Sequence, residues 1–488
     1  MMIFASPIPI MGEANLDKGV KDFREKMNLI LSDKCLSNGK TSIKIISLYH
    51  GDILYEYNSN DLLIPASNVK LVTTAAALLN LHPNYRFKTT LSTDGSINDN
   101  VLKGNLYIKG FGDPMLVSEE LWMMVKDLHN LGIRSITGDI IADDTFFDSE
   151  RVGNGWGRNI GSQAYCARIG ALSFNFNTIT VYVEPGKEEG KSPIVVLDPL
   201  TRFISVDNKA ITISQKKKNR LIVDRVEGDK MDKIIISGKI AKGKERNRFY
   251  LNISNPPLYT ASGFRDLLSR EGIEVKGEII IGRQPSGVKE LVVHYSKSLS
   301  SIIQGLNKLS NNFIAEQILK TMGAEIKGEH GTEENGLKIV YDFMEKVGID
   351  NGTYTIVDGS GLSEKNRLSA DQFLKVLIYM YNDFTLQPEY LSSLSVMGVD
   401  GSLNGRLNNT HAERKIRSKT GTLNGVNALS GYAKTRDDEI IAFSILMNYK
   451  GCDHGKIKAI QNKIALLMVD FSRGDGVLMG IFRGKGTR

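Results

Sequence analysis

The sequence predicts an α/β (α+β) protein in which helices flank a central antiparallel sheet and a large second unit is inserted into the chain. Two observations lead to this prediction. Apolar runs separated by short polar turns predict hairpins near both ends of the 488-residue chain, at residues 43–57 and 426–447. Helical stretches surround both hairpins, whereas the long middle segment switches between helical and strand patterns.

The elements of the central sheet are predicted in chain order. Residues 16–32 read as a helix, and the apolar runs 43–48 and 53–57 read as a hairpin. A proline precedes an Ala- and Leu-rich stretch that predicts a helix over 69–80. The late hairpin is followed by a predicted helix at 457–471. We expect the first and last elements to share one sheet.

The middle segment is too long to be a loop. From Ser67 to Ser310 the chain runs for 243 residues, and loops longer than about 15 residues are uncommon in compact domains. The sequence of residues 132–141 is similar to that of residues 272–280, and each follows a helical stretch. This weak repeat predicts two similar helix–strand units. The predicted boundaries are 1–90 and 290–488 for the main domain, 91–171 and 255–289 for an inserted α/β subdomain, and 172–254 for a nested β-rich subdomain.

The first of three short polar clusters is Ser67-Asn-Val-Lys70. Its pattern, Ser-x-x-Lys, recurs in turns and loops, but only Ser67 begins a long helix-forming segment. Residues three apart on a helix share a face, so the Lys70 amine can reach the Ser67 hydroxyl. A serine hydroxyl is a weak nucleophile that needs a neighbouring base. The copies that their context rejects lie at 37–40, 214–217 and 286–289.

Two further clusters complete a pattern that each alone does not establish. Ser310-Asn-Asn312 lies between two helical stretches, and Lys419-Thr-Gly421 lies at the start of the late hairpin. Singly, the first reads as a helix cap and the second as an ordinary turn. Together with the first cluster they supply a nucleophile, an amine base, a second hydroxyl with an amide, and a cation. Those are the parts of an acyl-transfer site that uses no histidine.

With these clusters, the chain resembles the class C low-molecular-mass penicillin-binding proteins, the D-alanyl-D-alanine carboxypeptidase/endopeptidase family. The resemblance spans about residues 40–450. It implies a catalytic domain like that of penicillin-binding proteins and serine β-lactamases, made by residues 1–90 and 290–488. Further segments that resemble the family lie at 104–114, 142–148, 171–175, 358–363 and 398–403.

The resemblance implies a serine protease-type hydrolase of the cell wall that acts on peptidoglycan stem peptides through an acyl-enzyme on Ser67. β-Lactam antibiotics would then be covalent inhibitors, and no cofactor or metal is expected. Lys70 is the predicted base if burial and the nearby Lys419 cation keep its amine neutral. A tyrosine or a water-linked carboxylate is an alternative base.

Roles for the remaining residues follow from the same resemblance. Ser310 would relay a proton to the departing amine, Asn312 would hold the substrate amide, and Lys419 would set a positive potential. The backbone N–H groups of Ser67 and Thr422 would form the oxyanion hole. The predicted substrate-binding residues are Thr420, Gly421 and Thr422 beside the terminal carboxylate, and Asp143 and Asp144 in a region that lines the side-chain pocket of relatives.

Other chemistries find little support in the sequence. No nucleophile elbow, phosphate-binding loop or dinucleotide fingerprint occurs, and the seven histidines are scattered without a metal-ligand spacing. The net charge of +7 includes lysine clusters at 216–218 and 239–248. They predict solvated loops, or attraction to anionic wall polymers or a membrane surface, rather than nucleic-acid binding. The three cysteines stand at unrelated spacings that predict no disulfide framework.

The sequence leaves three interpretations of function open, and the predicted location follows from the first. The leading one is a D-Ala-D-Ala carboxypeptidase or endopeptidase; a β-lactamase or esterase on the same scaffold and a non-catalytic wall-binding protein are the alternatives. The family implies an exported protein, periplasmic or extracellular. Residues 2–11 are apolar but contain two prolines and no basic lead, so they read as a remnant of an export signal or as a flexible start. The oligomeric state is left open.

Overall fold

A computed structural model describes residues 18–156, 161–243, 245–328 and 330–474. The predicted signal remnant at residues 2–11 lies outside these residues. The helices, numbered in chain order, are α1 (Lys18–Leu31), α2 (Val69–Leu81), α3 (Ser118–Asn130), α4 (Pro256–Arg270), α5 (Leu299–Leu309), α6 (Asn312–Lys327), α7 (Glu333–Lys346), α8 (Ala370–Asn382), α9 (Gln387–Ser393) and α10 (His454–Asp470).

The strands are numbered in the same way. They are β1 (Lys40–Ser47), β2 (Ile53–Tyr57), β3 (Lys88–Thr93), β4 (Ser96–Asn98), β5 (Val101–Lys103), β6 (Leu106–Gly110), β7 (Ser135–Ile136), β8 (Ile140–Asp143), β9 (Thr178–Glu184), β10 (Ile194–Asp198), β11 (Ile204–Asn208), β12 (Ile211–Ile213), β13 (Arg220–Val226), β14 (Asp232–Ala241), β15 (Asn247–Asn252), β16 (Glu274–Val275), β17 (Ile279–Ile281), β18 (Lys289–Tyr295), β19 (Ser395–Val396), β20 (Ile416–Leu423), β21 (Val426–Lys434) and β22 (Ile440–Asn448).

A six-stranded antiparallel sheet forms the centre of the main domain. Its strands lie side by side in the order β19-β20-β21-β22-β1-β2. The first hairpin therefore joins the late one through the pairing of β1 with β22, as the sequence predicts. The central strands β21 and β22 are almost continuously buried, because both faces of the sheet are covered.

Two layers of helices cover this sheet. On one face, Ala428 and Leu446 pack into a core shared with α2, α5, α6, α7 and α8. On the other face, Leu429 and Phe443 pack against α1 and α10. The alternation of side chains along a strand sends neighbouring residues to opposite cores. Among the helices of the described ranges, none is both long and apolar enough to cross a bilayer.

The insert begins at β3 and ends at β18, which pair with each other in a five-stranded sheet of order β17-β8-β6-β3-β18. These two strands cross the boundaries predicted at residues 90 and 290, because each continues from one domain into the other. The predicted internal repeat is confirmed: β7 pairs in parallel with β16 and β8 with β17, so the units α3-β7-β8 and α4-β16-β17 lie side by side.

Short strands build two small sheets within the residues predicted as the nested subdomain. One has the order β10-β9-β15, and the other contains β11, β14 and β12 with β13 paired to β14. Every second residue of β9 is buried, which matches a strand that packs one face on a core. Val181 and Ile236 belong to the same apolar core as α3 and α4.

The expectation of no disulfide is wrong, because Cys35 and Cys452 are joined with an Sγ–Sγ distance of 2.04 Å. The two cysteines are 417 residues apart in the sequence. The pairing of Lys40 with Asn448 brings their segments to the same end of the sheet. Sequence spacing could not show this, because the contact depends on the order of strands. Cys166 is buried with a free thiol.

We predict that alkylation of the unreduced, denatured protein labels one cysteine, and that alkylation after reduction labels all three. Intact-mass measurement counts the adducts. A Cys166→Ser variant is the matched control and takes no label before reduction. Three adducts on unreduced protein would contradict the pairing of Cys35 with Cys452.

Candidate active site

Ser67 and Lys70 face each other at the start of α2. Ser67 lies in a 3-10 turn, Ala66–Asn68, that leads directly into the helix. Ala66 has a φ of 48°, a conformation that is costly for a residue with a side chain and is found mostly where surrounding structure enforces it. The Lys70 Nζ atom lies 2.9 Å from the Ser67 Oγ atom. The helix start therefore directs the hydroxyl towards the amine, as the sequence predicts.

The junction of α5 and α6 supplies the second cluster. Ser310 ends α5 in the left-handed conformation, with a φ of 58°, and Asn311 caps α6 by accepting a hydrogen bond from the Ile314 N–H group. Asn312, the first residue of α6, accepts a hydrogen bond from Lys70 Nζ at 2.6 Å. Its amide nitrogen donates to the Tyr165 carbonyl at 3.0 Å.

The third cluster lies on β20. Lys419 is fully buried, and its Nζ atom donates to Ser310 Oγ at 2.8 Å and to the carbonyl of Thr420 at 2.7 Å. A Cβ atom on Gly421 would lie 2.7 Å from the Pro65 carbonyl oxygen, so only glycine lets this strand approach the turn before Ser67. Three segments that are far apart in the sequence thus meet in one hydrogen-bonded group.

Burial controls the charge of Lys70. It lowers the pKa of this amine from 10.5 to about 7, although the carboxylates of Asp358 and Glu316 act in the opposite direction. The side chain is fully buried and also donates to the Ser360 carbonyl at 2.5 Å. Near neutral pH a large share of Lys70 is therefore neutral and can accept a proton.

Lys419 experiences the same desolvation. Burial first, and then the charge of Lys70, lower the pKa of Lys419 well below its usual value of 10.5. Both acceptors bonded to its amine are neutral oxygens. Two amines in one buried group cannot both carry a charge at low cost, since within the described ranges no carboxylate is bonded to either. The sequence predicts a fixed cation at Lys419, whereas burial and the charge of Lys70 both disfavour the charged form of this amine.

A loop that carries no predicted site residue supports Lys70. The Glu316 carboxyl group, on α6, accepts hydrogen bonds from the Gly359 and Ser360 N–H groups at 3.1 and 2.9 Å. Asp358 accepts from the Trp156 ring N–H group at 3.0 Å and from the Gly361 N–H group at 2.8 Å. Burial and the charge of Asp358 raise the pKa of Glu316 well above its usual value. Glu316 stands among polar residues such as Gln317 and Lys320 on α6, so the sequence alone gives no clear signal for its role.

The structure gives Asp143 and Asp144 contacts within the insert. Asp143 is fully buried, accepts from the Gln284 N–H group at 2.8 Å and pairs with Lys109 at 3.3 Å. Asp144 pairs with Arg151, and burial raises its pKa to about 6. Among the described residues, neither carboxylate is bonded to the group around Ser67. Asp143 also accepts hydrogen bonds from Thr145, and Asp144 accepts one from the Leu172 N–H group, so both carboxylates hold the segment after β8 in place; their role in substrate binding stays a prediction.

A model of the D-Ala-D-Ala carboxypeptidase 3 (S13) family matches residues 23–470. The chain belongs to this family. It is 31% identical over 484 residues to a D-alanyl-D-alanine carboxypeptidase from an Actinomadura species, covering 95% of this chain and 88% of the relative. It is 27% identical over 406 residues to the D-alanyl-D-alanine carboxypeptidase DacB of Haemophilus influenzae, covering 82% of this chain and 84% of the relative.

A solved structure shares the fold. The crystal structure of penicillin binding protein 4 (dacB) from Haemophilus influenzae matches this S13 chain with a TM-score of 0.79 and 25% identity, covering 92% of this chain and 98% of the other. The predicted family and the predicted fold class are confirmed by these matches. The predicted enzyme class, D-Ala-D-Ala carboxypeptidase, is confirmed at the level of the family.

We predict that Lys70 titrates with a pKa of about 7, because burial of its amine outweighs the nearby carboxylates. NMR of protein labelled with ¹³C at the lysine ε-carbon measures this pKa, and loss of the resonance in Lys70→Met assigns it. Lys217→Met is the matched control: it removes an exposed lysine of another Ser-x-x-Lys pattern and keeps the resonance. A Lys70 pKa near 10.5 would contradict the prediction.

We predict that Gly361→Ala destabilises the main domain by about 2 kcal/mol or more, measured by urea unfolding. Gly361 has a φ of 77°, and an added Cβ atom would lie 2.0 Å from the Ala66 carbonyl oxygen, next to Ser67. Gly305→Ala is the control, because nothing lies within 4 Å of its Cβ position in α5. It should stabilise the helix by about 0.5–1 kcal/mol. Equal stability of the two variants would be inconsistent with this tight approach.

Proposed function

We propose that this S13 chain is a D-Ala-D-Ala carboxypeptidase that forms an acyl-enzyme on Ser67. The observation that carries the proposal is the distance of 2.9 Å between Ser67 Oγ and Lys70 Nζ, whose pKa of about 7 leaves the amine able to act as a base. A general base must lie within hydrogen-bond reach of the proton it removes, and its best pKa is close to the working pH. Both conditions are met at this pair.

In the acylation step, Lys70 accepts the Ser67 proton as the Oγ atom bonds to the carbonyl carbon of the scissile peptide bond. The bond from that carbon to the nitrogen of the C-terminal residue then breaks, and the departing amine takes the proton that Lys70 removed from Ser67. Ser310 is the proposed relay for this proton, because its hydroxyl is bonded to Lys419 and it precedes the Lys70 acceptor Asn312 by only two residues along the junction. Water then hydrolyses the ester and Ser67 regains its proton.

Substrate placement is proposed from the same group. Asn312 holds the amide of the acyl donor, and the edge of β20 at Thr420 to Thr422 lies beside the departing residue. Gly421 keeps that edge close to the Ser67 turn. Backbone N–H groups of Ser67 and Thr422 are proposed to stabilise the oxyanion, since donors placed where charge develops lower the barrier most. A β-lactam would acylate Ser67 in the same way.

The substrate is proposed to be a peptidoglycan stem peptide, and the location the periplasm or the outside of the cell. Membership of the D-Ala-D-Ala carboxypeptidase 3 (S13) family supports a stem-peptide substrate. The Cys35–Cys452 disulfide supports an oxidising compartment, because disulfides persist mainly in exported proteins. Whether the enzyme removes a terminal residue or cuts a cross-bridge depends on which part of the substrate binds beside β20.

We predict that penicillin adds one covalent adduct to the wild-type protein and none to Ser67→Ala, measured by intact mass. The reason is that the ester requires the Ser67 Oγ atom. The control is Ser286→Ala, which alters an exposed serine of another Ser-x-x-Lys pattern and keeps the adduct.

The alternatives give different outcomes in the same assay. Rapid loss of the adduct together with penicillin hydrolysis would indicate a β-lactamase. A wild-type protein that takes no adduct and releases no D-alanine from a peptide ending in D-Ala-D-Ala would contradict the proposal and leave a wall-binding protein.

A further inference from the structure

The positive charge of the chain is concentrated in three short segments of the insert. Residues 185–193, 211–220 and 239–248 contain eleven lysine and arginine residues and three glutamates, which gives them a net charge of +8. The whole chain has a net charge of +7, so all the residues outside these segments sum to −1. The excess of basic residues therefore belongs to one part of the nested β-rich subdomain and not to the protein surface in general.

Backbone pairing brings the three segments to one end of that subdomain. The Lys191 carbonyl accepts a hydrogen bond from the Thr212 N–H group at 2.8 Å, and the Lys242 N–H group donates to the Ile213 carbonyl at 2.9 Å. β15 begins just after these residues and pairs with the end of β9. We call this region the basic end. Its described cations are all exposed, and they are Lys187, Lys191, Lys216, Lys217, Lys218, Arg220, Lys239, Lys242, Arg246 and Arg248.

Two of these cations lie directly opposite each other. In the antiparallel pairing of β13 with β14, Arg220 is the partner of Lys239, so both side chains project from the same face of the sheet. Like charges in this position destabilise a sheet. A surface that serves only solubility does not require this arrangement, because interspersed charges of both signs are sufficient. A bound anion would remove the repulsion between the two side chains.

Acidic side chains do not neutralise the basic end. Within the described ranges, only one of its cations forms a salt bridge, namely Arg246, whose Nε atom lies 2.6 Å from Glu184. Nearer the other end of the subdomain the situation differs, since Arg225 lies 3.3 Å from the Asp232 carboxylate. The basic end therefore presents nine described cations that have no carboxylate partner in the part of the chain that the structure describes.

The basic end is separate from the Ser67 site. The opposite end of the subdomain contacts the segment beside that site, where Asn252 donates to the Cys166 carbonyl at 2.9 Å and the residue before Cys166 accepts from Asn312. Arg248 precedes Asn252 on β15 by four residues, which is about 13 Å along a strand, and the turn at 242–246 lies beyond it. A ligand on the basic end would leave the Ser67 site open.

Two features favour a flexible polymer over a bilayer as the anionic partner. The connecting segments 185–193, 214–219 and 242–246 contain no aromatic residue and no Leu, Ile, Val or Met. Interfacial membrane binding depends on buried apolar side chains as well as on charge. In addition, Lys239 and Arg248 lie on the outer faces of two different sheets, whose inner faces share one apolar core. A flat bilayer would meet one of these faces, whereas a flexible chain can contact both.

We propose that the basic end binds a flexible linear polymer that carries a phosphodiester charge in each repeat unit, and so holds the enzyme beside that polymer. Lysine ammonium and arginine guanidinium groups both bind phosphate oxygens. The Arg246 guanidinium group lies 4.2 Å from the centre of the Tyr182 ring, which supports its orientation at the surface. This assignment is independent of the chemistry at Ser67, because no residue of the basic end belongs to that site.

Binding of poly(glycerol phosphate) to the full chain tests the proposal. Fluorescence anisotropy of the labelled polymer gives the affinity at each salt concentration. Contact with four phosphates would lower the affinity about 50-fold between about 50 and 200 mM salt, because counterion release gives a log–log slope of about −0.7 per phosphate. The variant Lys216→Gln/Lys217→Gln/Lys218→Gln should bind about tenfold or more weakly at low salt, with a slope that is smaller in magnitude by about 2.

The matched control is Lys21→Gln/Lys40→Gln/Lys346→Gln, which removes three exposed lysines of the main domain and should keep both the affinity and the slope. A single change, Lys239→Gln, should weaken binding without lowering the urea midpoint of unfolding, because it also removes the repulsion with Arg220. All of these variants should take the penicillin adduct as the wild type does.

A wild-type protein that does not bind the polymer at low salt would overturn the proposal. An equal loss of affinity in the control variant would overturn it too, since binding would then follow only the total charge. Binding to vesicles of phosphatidylglycerol and phosphatidylcholine without binding to the polymer would indicate a membrane surface instead. A wild-type protein that binds the polymer but takes no penicillin adduct would retain the basic end as a polymer site and reject the proposed hydrolase.

Discussion

Desolvation of two lysine amines is the constraint on which the site depends. Lys70 and Lys419 are both fully buried, and each donates to a serine hydroxyl. A buried ammonium group is unstable without a counter-charge, so burial lowers the pKa of both amines and makes Lys70 a base near neutral pH. The rest of the main domain holds these amines away from water and in hydrogen-bond contact with their partners.

The loop after Val357 balances that desolvation. Asp358 and Glu316 lie close enough to raise the pKa of Lys70, yet their oxygens are bonded mainly to backbone N–H groups of the same loop. Thr73 on α2 donates to the Gly359 carbonyl at 2.7 Å, which fixes the loop to the helix that carries the nucleophile. The carboxylates therefore raise the pKa of Lys70 from a loop that hydrogen bonds hold against α2.

Local patterns predicted the parts of the site but not their surroundings. A helix start, a helix junction and a single strand are readable from periodicity and breakers. The sequence alone therefore distinguishes Ser67 and Ser310 from other copies of their patterns, and the pattern of Lys419 occurs only once. The disulfide and the supporting Glu316 depend on which strands and helices become neighbours. That information lies in contacts between residues hundreds of positions apart, which a single sequence does not display.

Arg406 shows the same limit. An arginine in a Gly- and Asn-rich loop reads as a solvated side chain, but Arg406 is buried and bonded to Gln461 and Asn462 of α10. The two lysines show the same dependence on distant contacts. Burial and the charge of Lys70 both lower the pKa of Lys419, so a charge on one of these buried amines disfavours a charge on the other. That coupling exists only because the start of α2 and the strand β20 pack against the same junction between α5 and α6.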